Sequence, residues 1–570
     1  MPRVSVEVET VGQAILEMLR ARGIDFLFGN ASTSIIDGLA RLSAQGRPGP
    51  RAVTVPHEQA AVAMAHGFFA SSGRMQAAIV YSTVGTANAL GAIINASRAR
   101  VPMLVLAARS ALSDDGATRG ARDIHVQWAQ ESFDQGAMVR EYVKWDYELR
   151  GADQVEAVID RAIERALDPP QGPVYLSLPR DVLARPMREL CLDTPSRRIV
   201  ASRRYPDPAC IEAAAGILAS ARHPLIVTSE VGRDPAAVGA LVDLCDAGAI
   251  RVIEASPVYA NFPATHPSHA GYVFGSQVHP DVAEADAILV IDCDVPWFPA
   301  RSTLAEATRV IHLGVDPFFG CYPMRNYRCD VPIAAEPSVA LPMLSLAVRQ
   351  RADRDAVHAR RAVHEQRHRA QRAEWLAGAL AERNRRPIGF QWASHCIAAL
   401  VDEETVVVNE YPLDPRTGPP AGPGRYFGPS HAGGLGWGFG AALGVKAAAP
   451  GRTVIATLGD GSYIFSVPTA CHLVARAQDL PLLTVVFNNG GWDEVAKSTL
   501  SVHPDGWAAS SSEVPMVSLA PSPRFEEIVR AFDGHGERVE HPETLPAALE
   551  RALHAVRGGR QALVNIVCRR

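Results

Sequence analysis

The chain has 570 residues, 47% of them hydrophobic and 21% charged, with a formal charge of −5. That composition suits a globular protein with several cores, and its slight acidity with 6% aromatic residues leaves no electrostatic footprint for nucleic acid. The nine cysteines are scattered, odd in number and without a CxxC pair, which speaks against a disulfide framework or zinc cage and fits a reduced, cytoplasmic setting.

The amino-terminal MPRVSVEVETVGQAILEML carries acidic residues before its first apolar helix face, and nowhere do about 18 apolar residues run together. Export and membrane spanning are both disfavoured. From Thr10, amphipathic stretches alternate with short apolar runs, FLFGN, RAVTV, QAAIVYS, VPMLVLAAR and GPVYLSLPRDV, which predicts a doubly wound parallel sheet within residues 1–190. A polar, proline-bearing connector at 193–209 leads to a second series, HPLIVTSEVG, IRVIEASP, AILVIDCDV and RVIHLGVDP, read as a middle domain over 205–350. Residues 351–386 are dense in Arg; an anion-binding helix and a solvated linker helix laced with ion pairs both fit, and the linker is favoured. A third series follows over 387–570, with strands at TVVVNEY, RTVIATLGDG, LLTVVFNN and ALVNIVC. The fold class expected is α/β, with three consecutive doubly wound parallel-sheet domains.

Chemistry concentrates in the third series. In an open parallel sheet, ligands collect beyond the carboxyl ends of the strands. Asp460 lies just past one such end between Gly459 and Gly461, and Asn488 and Asn489 lie past another, so a carboxylate and an amide oxygen can converge. Ser462 is expected to open a helix whose N–H groups attract phosphate. One carboxylate, one amide oxygen, a loop carbonyl and phosphate oxygens suit octahedral magnesium. The Gly-rich HAGGLGWGFGAALGVKAA (431–448) lacks GxGxxG spacing, so a nicotinamide fingerprint is a poor reading.

The order strand, GDGS, helix, strand, NN, with 29 residues from Asp460 to Asn489, resembles the cofactor motif of thiamine diphosphate enzymes, the family of acetolactate synthase, benzoylformate decarboxylase and the 2-hydroxyacyl-CoA lyases. A second, distant segment, VTVPHEQAAVAMAHGFFA, resembles the same family's glutamate motif. The resemblance covers essentially the whole chain. It implies thiamine diphosphate and Mg2+ as cofactors, with the metal held by Asp460, Asn489 (Asn488 being the alternative) and the Gly491 carbonyl. It implies that Glu58 bonds a pyrimidine nitrogen and so promotes the C2 ylid. Gly459, Gly461, Ser462, Gly434 and Trp492 would line the cofactor, with Leu435 as the wedge beneath it and Asn88 in its shell. Tyr411 stands where relatives often grip the diphosphate with a small polar side chain.

Substrate candidates carried over are Asn30, Ser32 and Thr33, then Tyr81 and Ser82, then Glu494 and Val495, with His431 close to the cofactor segment. The implied activity is cleavage or formation of a carbon–carbon bond beside a carbonyl, through ylid and enamine. Glu494 would repel a free 2-oxo acid but could take the hydroxyl proton of a thioester. That favours a 2-hydroxyacyl-CoA lyase giving formyl-CoA plus an aldehyde or ketone; a 2-oxo acid decarboxylase or carboligase like acetolactate synthase or benzoylformate decarboxylase is the alternative. The first and third domains are expected to meet across subunits of a homo-oligomer, a dimer at minimum and a tetramer by expectation. Between 205 and 350 no pyrophosphate loop is recognisable. Closure over the pocket would fall to the 498–523 loop.

Overall fold

Runs such as Pro224–Thr228 and Ala287–Ile291 are buried along their whole length, which requires helices on both faces of the sheet that holds them. The computed structural model describes residues 3–30, 32–194, 202–275, 277–418, 422–511 and 513–568. Three six-stranded sheets form, each with every neighbouring pair parallel.

In the first sheet the spatial order is Arg51–Thr54, Phe26–Gly29, Ala77–Val80, Leu104–Arg109, Val174–Pro179, Asp146–Glu148. The middle sheet runs His269–Val273, Arg251–Ala255, Pro224–Thr228, Ala287–Ile291, Arg309–Gly314, Val331–Ala334. The third runs Tyr426–Phe427, Thr405–Glu410, Thr453–Gly459, Leu483–Asn488, Ala562–Val567, His535–Val539. A separate two-stranded ladder pairs Arg3–Glu7 antiparallel with Glu189–Asp193, so the first unit closes back onto its own start. Much of the predicted connector, 195–201, lies outside the described residues.

The first and third units touch within one chain through helices Glu58–Ser72 and Trp437–Ala448. Their backbones approach so closely that a methyl group at Gly67 would overlap the Ala441 carbonyl, and one at Gly444 the Met64 carbonyl. Small residues permit this contact, and no larger side chain could replace them without separating the units. Arg100, from the first unit, reaches the carboxyl ends of the middle strands, where it pairs with Glu230 at 3.2 Å and Asp292 at 3.4 Å.

The Arg-rich segment forms a helix, Arg354–Ala381, capped by Asp353. It is not a free spacer. Arg360 donates to the carbonyls of Ala221 and Gly248, and His368 to that of Ala264, so one face is docked on the middle unit.

Candidate functional site

The strand Thr453–Gly459 ends at the carboxyl edge of its sheet, and helix Asp460–Phe465 begins at once. The helix therefore starts two residues before the expected position, and Ser462 is its third residue, buried. Asp460 is 4% exposed. Its Oδ1 accepts from Gly461 N–H at 2.9 Å and its Oδ2 from Gly490 N–H at 2.8 Å, so the carboxylate bridges the two strand ends. Gly490 adopts φ +68°, a left-handed conformation that turns its N–H toward Asp460. Burial pushes the Asp460 carboxyl above its ordinary range, and the surrounding N–H groups oppose that only in part. Among the described residues no Lys, Arg or His forms an ion pair with it.

Asn488 is buried and its amide nitrogen is spent on Ser522 Oγ at 2.7 Å and Asn565 Oδ1 at 3.0 Å. It holds the strand end in place, and Asn489 follows on the half-buried turn, where its Oδ1 accepts from Gly491 N–H at 3.1 Å. Trp492 lies over the aspartate turn, so a side chain at Gly461 would collide with the indole ring, and Phe465 meets that ring edge-on at 5.7 Å. Backbone bonds from Trp492 N–H to Val517 O and from Leu519 N–H to Gly490 O pin the loop from outside. The predicted 498–523 lid thus contains anchored backbone, with helical turns at its start (Asp493–Val502) and at Trp507–Ser510.

Glu58 opens helix Glu58–Ser72, half-buried; Asn88 Nδ2 donates to its Oε2 at 3.1 Å, and Gly85 leaves room for its Oε1. Two residues that sequence reasoning missed join this segment to the Gly-rich turn. Gln59 Nε2 donates to Leu435 O at 2.8 Å and Phe465 O at 3.3 Å, and Asn95 clasps Gly434 through both its N–H (3.0 Å) and its carbonyl (2.8 Å).

A third, Glu410, is fully buried behind the same turn. Burial raises its carboxyl to about 7 although Gly438 and Gly436 N–H and the Ser462 hydroxyl donate to it, the two backbone bonds being 2.5 and 2.8 Å. Beside it, Tyr411 takes φ +81° and directs its hydroxyl toward Gly433. Asn409 shapes this turn by accepting from Leu413 N–H and Thr457 Oγ1.

Several expected residues lie apart. The Glu494 side chain is 80% exposed and pairs with Lys497 at 2.8 Å, and Val495 is exposed beside it. Asn30 and Thr33 are exposed, while Ser32 is buried at the start of its helix. Tyr81 is exposed; Ser82, buried at φ +57°, donates to Gln130 Oε1 at 2.7 Å.

His431 has both ring nitrogens engaged with the middle unit. Its Nδ1 meets Asp294 Oδ1 at 2.8 Å and its Nε2 meets the Ser256 carbonyl at 2.7 Å. A carbonyl and a carboxylate only accept, so both ring nitrogens donate and neither is left for a substrate. Burial alone would lower its pKa, but the Asp294 hydrogen bond and charge outweigh burial and raise it from 6.5 to about 9. A folded-state value above the unfolded one stabilises fully below pH 6.5 and is lost as pH rises through 9. Wild-type protein is therefore expected to lose on the order of 3 kcal/mol between pH 7 and 10 from this pair, and denaturant titrations at both pH values should find that loss much reduced in His431→Gln.

No cluster of three or more His, Cys, Asp or Glu side chains able to cage a metal occurs among the described residues. No helix there is long and apolar enough to cross a membrane.

Comparison with known proteins places this geometry. Residues 9–138 match the family model for the N-terminal TPP binding domain of thiamine pyrophosphate enzymes, 211–344 the central domain and 417–566 the C-terminal TPP binding domain. The chain is 27% identical to benzoylformate decarboxylase of Pseudomonas aeruginosa, over 96% of this chain and 98% of that one. It is 25% identical to the acetolactate synthase isozyme 3 large subunit of Escherichia coli, over 98% and 95%. In fold it is similar to the thiamine diphosphate-dependent 4-hydroxybenzoylformate decarboxylase of Rhodococcus jostii RHA1, with a TM-score of 0.76, 23% identity and coverage of 98% and 99%. The chain belongs to the thiamine pyrophosphate enzyme family.

Proposed function

We propose that this is a thiamine diphosphate- and magnesium-dependent enzyme that splits the bond between the carboxylate and the carbonyl of a 2-oxo acid, releasing carbon dioxide and passing the acyl unit to a proton or to a second carbonyl compound. The observation that carries this reading is the end-to-end similarity to benzoylformate decarboxylase. The lyase reading leaned on Glu494 facing the reacting centre. With that side chain in solvent beside Lys497, its support falls away.

The residues fit the cofactors. Asp460 offers a buried carboxylate without a cationic partner among the described residues, Asn489 an amide oxygen and Gly491 a carbonyl, an all-oxygen set that suits magnesium. Thiamine diphosphate, when bound, supplies an acidic carbon that adds to the substrate carbonyl and stores the electron pair left by departing carbon dioxide. Glu58 holds or releases a proton at its carboxylate, and Asn88 keeps that group oriented. Gln59, Asn95 and Glu410 fix the 434–438 turn, so Leu435 is presented rigidly. The apolar surface of Phe465 and Trp492 beside the Asp460 loop favours a substrate with an apolar side chain. In the working enzyme two copies pair so that one chain's first unit completes the other's third.

The test is turnover by the full chain with thiamine diphosphate and magnesium. Carbon dioxide release from benzoylformate or another aryl 2-oxo acid is expected, with 2-hydroxyacyl-CoA inert. Formyl-CoA release with every free 2-oxo acid inert would overturn the proposal in favour of the lyase.

A further inference from the structure

Between the amino-terminal edge of the middle sheet and helix Arg354–Ala381 lies a cavity of about 240 Å3, below the 300–1,000 Å3 usual for drug-sized ligands. It sits at the opposite strand ends from those where α/β sheets collect ligands, and none of the residues assigned above to the cofactors lines it. Arg360, His364 and Arg367 enter it from one face of the helix at spacings of four and three; Arg222 and Arg251 enter from the sheet edge.

Four guanidiniums thus meet two lining carboxylates, Asp281 and Glu284. Asp281 pairs with Arg251 and lies 3.9 Å from Arg367, and Glu284 lies 3.7 Å from Arg367. Asp286 and Asp353 are near Arg360, but their oxygens accept backbone N–H groups, of Arg222 and His223 and of Asp355 and Ala356 respectively. Neither Arg222 nor Arg360 forms an ion pair among the described residues.

Arg251 and His364 are each only 8% exposed. Yet Nε of Arg251, Nε of Arg360 and Nδ1 of His364 are buried without a hydrogen-bond partner among the described residues. Buried polar atoms left unmatched in this way are costly, and a ligand that accepts from the two guanidinium N–H groups removes their cost. Arg222 and Arg360 take no part in an ion pair among the described residues, and guanidiniums presented as planar forks suit a compact oxyanion.

We propose that this cavity binds a compact phosphoryl dianion, either inorganic phosphate or the phosphate of a small phosphomonoester, and that the anion ties the Arg-rich helix to the middle sheet. The experiment uses the full chain saturated with thiamine diphosphate and magnesium, so that the diphosphate cradle is filled. Inorganic phosphate and glycerol 1-phosphate are titrated at constant ionic strength, with 31P line width and melting temperature as readouts. Saturable binding is expected, weakened about tenfold or more by Arg222→Gln and by Arg367→Gln, both of which change exposed side chains, and unaltered by Arg349→Gln on the neighbouring helix. Tighter binding of the ester assigns the cavity to phosphomonoesters, and equal or weaker binding assigns it to phosphate. Binding that never saturates, or equal affinity in all three variants, overturns the proposal.

Discussion

Glu58→Gln is expected to lower kcat by about 10²–10⁴-fold, the usual worth of a positioned proton carrier, while thiamine diphosphate affinity changes by less than about tenfold. The substitution is conservative in shape. An amide oxygen at the same place still accepts from Asn88 Nδ2, and the space that Gly85 leaves is still filled. What disappears is the ability to hold and release a proton. A loss of folding stability cannot imitate the effect, because the residue sits half-exposed at a helix start where its charge is worth about 0.3–1 kcal/mol. Steady-state kinetics and calorimetric titration of the cofactor on the same preparation separate the two quantities. Unchanged turnover in Glu58→Gln would remove this residue from the chemistry.

The residues that were legible in the sequence carry their chemistry in a local word. Asp460 between two glycines and Glu58 after a histidine stand in short segments at strand ends, so residue type and position suffice. Gln59, Asn95 and Glu410 act on partners 376, 339 and 26 residues away, and nothing in their own neighbourhood sets them apart from ordinary helix or strand positions. The setting of His431 is hidden for the same reason, since Asp294, which claims it, lies 137 residues earlier in the middle unit. The Arg-rich helix is legible from composition, but its docked face depends on carbonyls at the carboxyl ends of two helices in the middle unit.

Strands divide along a similar line. Interior strands such as Leu483–Asn488 are buried at every residue and read as apolar runs. Within the three six-stranded sheets, the strands that sequence patterning passed over, Asp146–Glu148, His269–Val273, Val331–Ala334, Tyr426–Phe427 and His535–Val539, each close one edge. Edge strands are short and carry polar or small residues, because one side has no neighbour to pack against.

Asp460→Asn is expected to abolish the joint stabilisation of the protein by thiamine diphosphate and magnesium while leaving the cofactor-free protein within about 1 kcal/mol of wild type. In the cofactor-free chain the wild-type carboxylate is buried without a cation, which raises its pKa and disfavours its charge. An amide removes that unfavourable charge but keeps one oxygen for the Gly461 or Gly490 N–H, so a lost hydrogen bond is offset by relief of desolvation. On the proposed reading, however, magnesium would lose its one anionic side-chain ligand. A ligand present at 100 times its Kd stabilises the folded state by about 2.7 kcal/mol, and that increment is what the variant should lack. Melting curves of both proteins, with and without thiamine diphosphate and magnesium, give the four quantities needed. A variant that keeps the full cofactor-dependent increment would mean that the diphosphate is held elsewhere, and the convergence of Asp460 on the Asn489 turn would then be a structural bridge only.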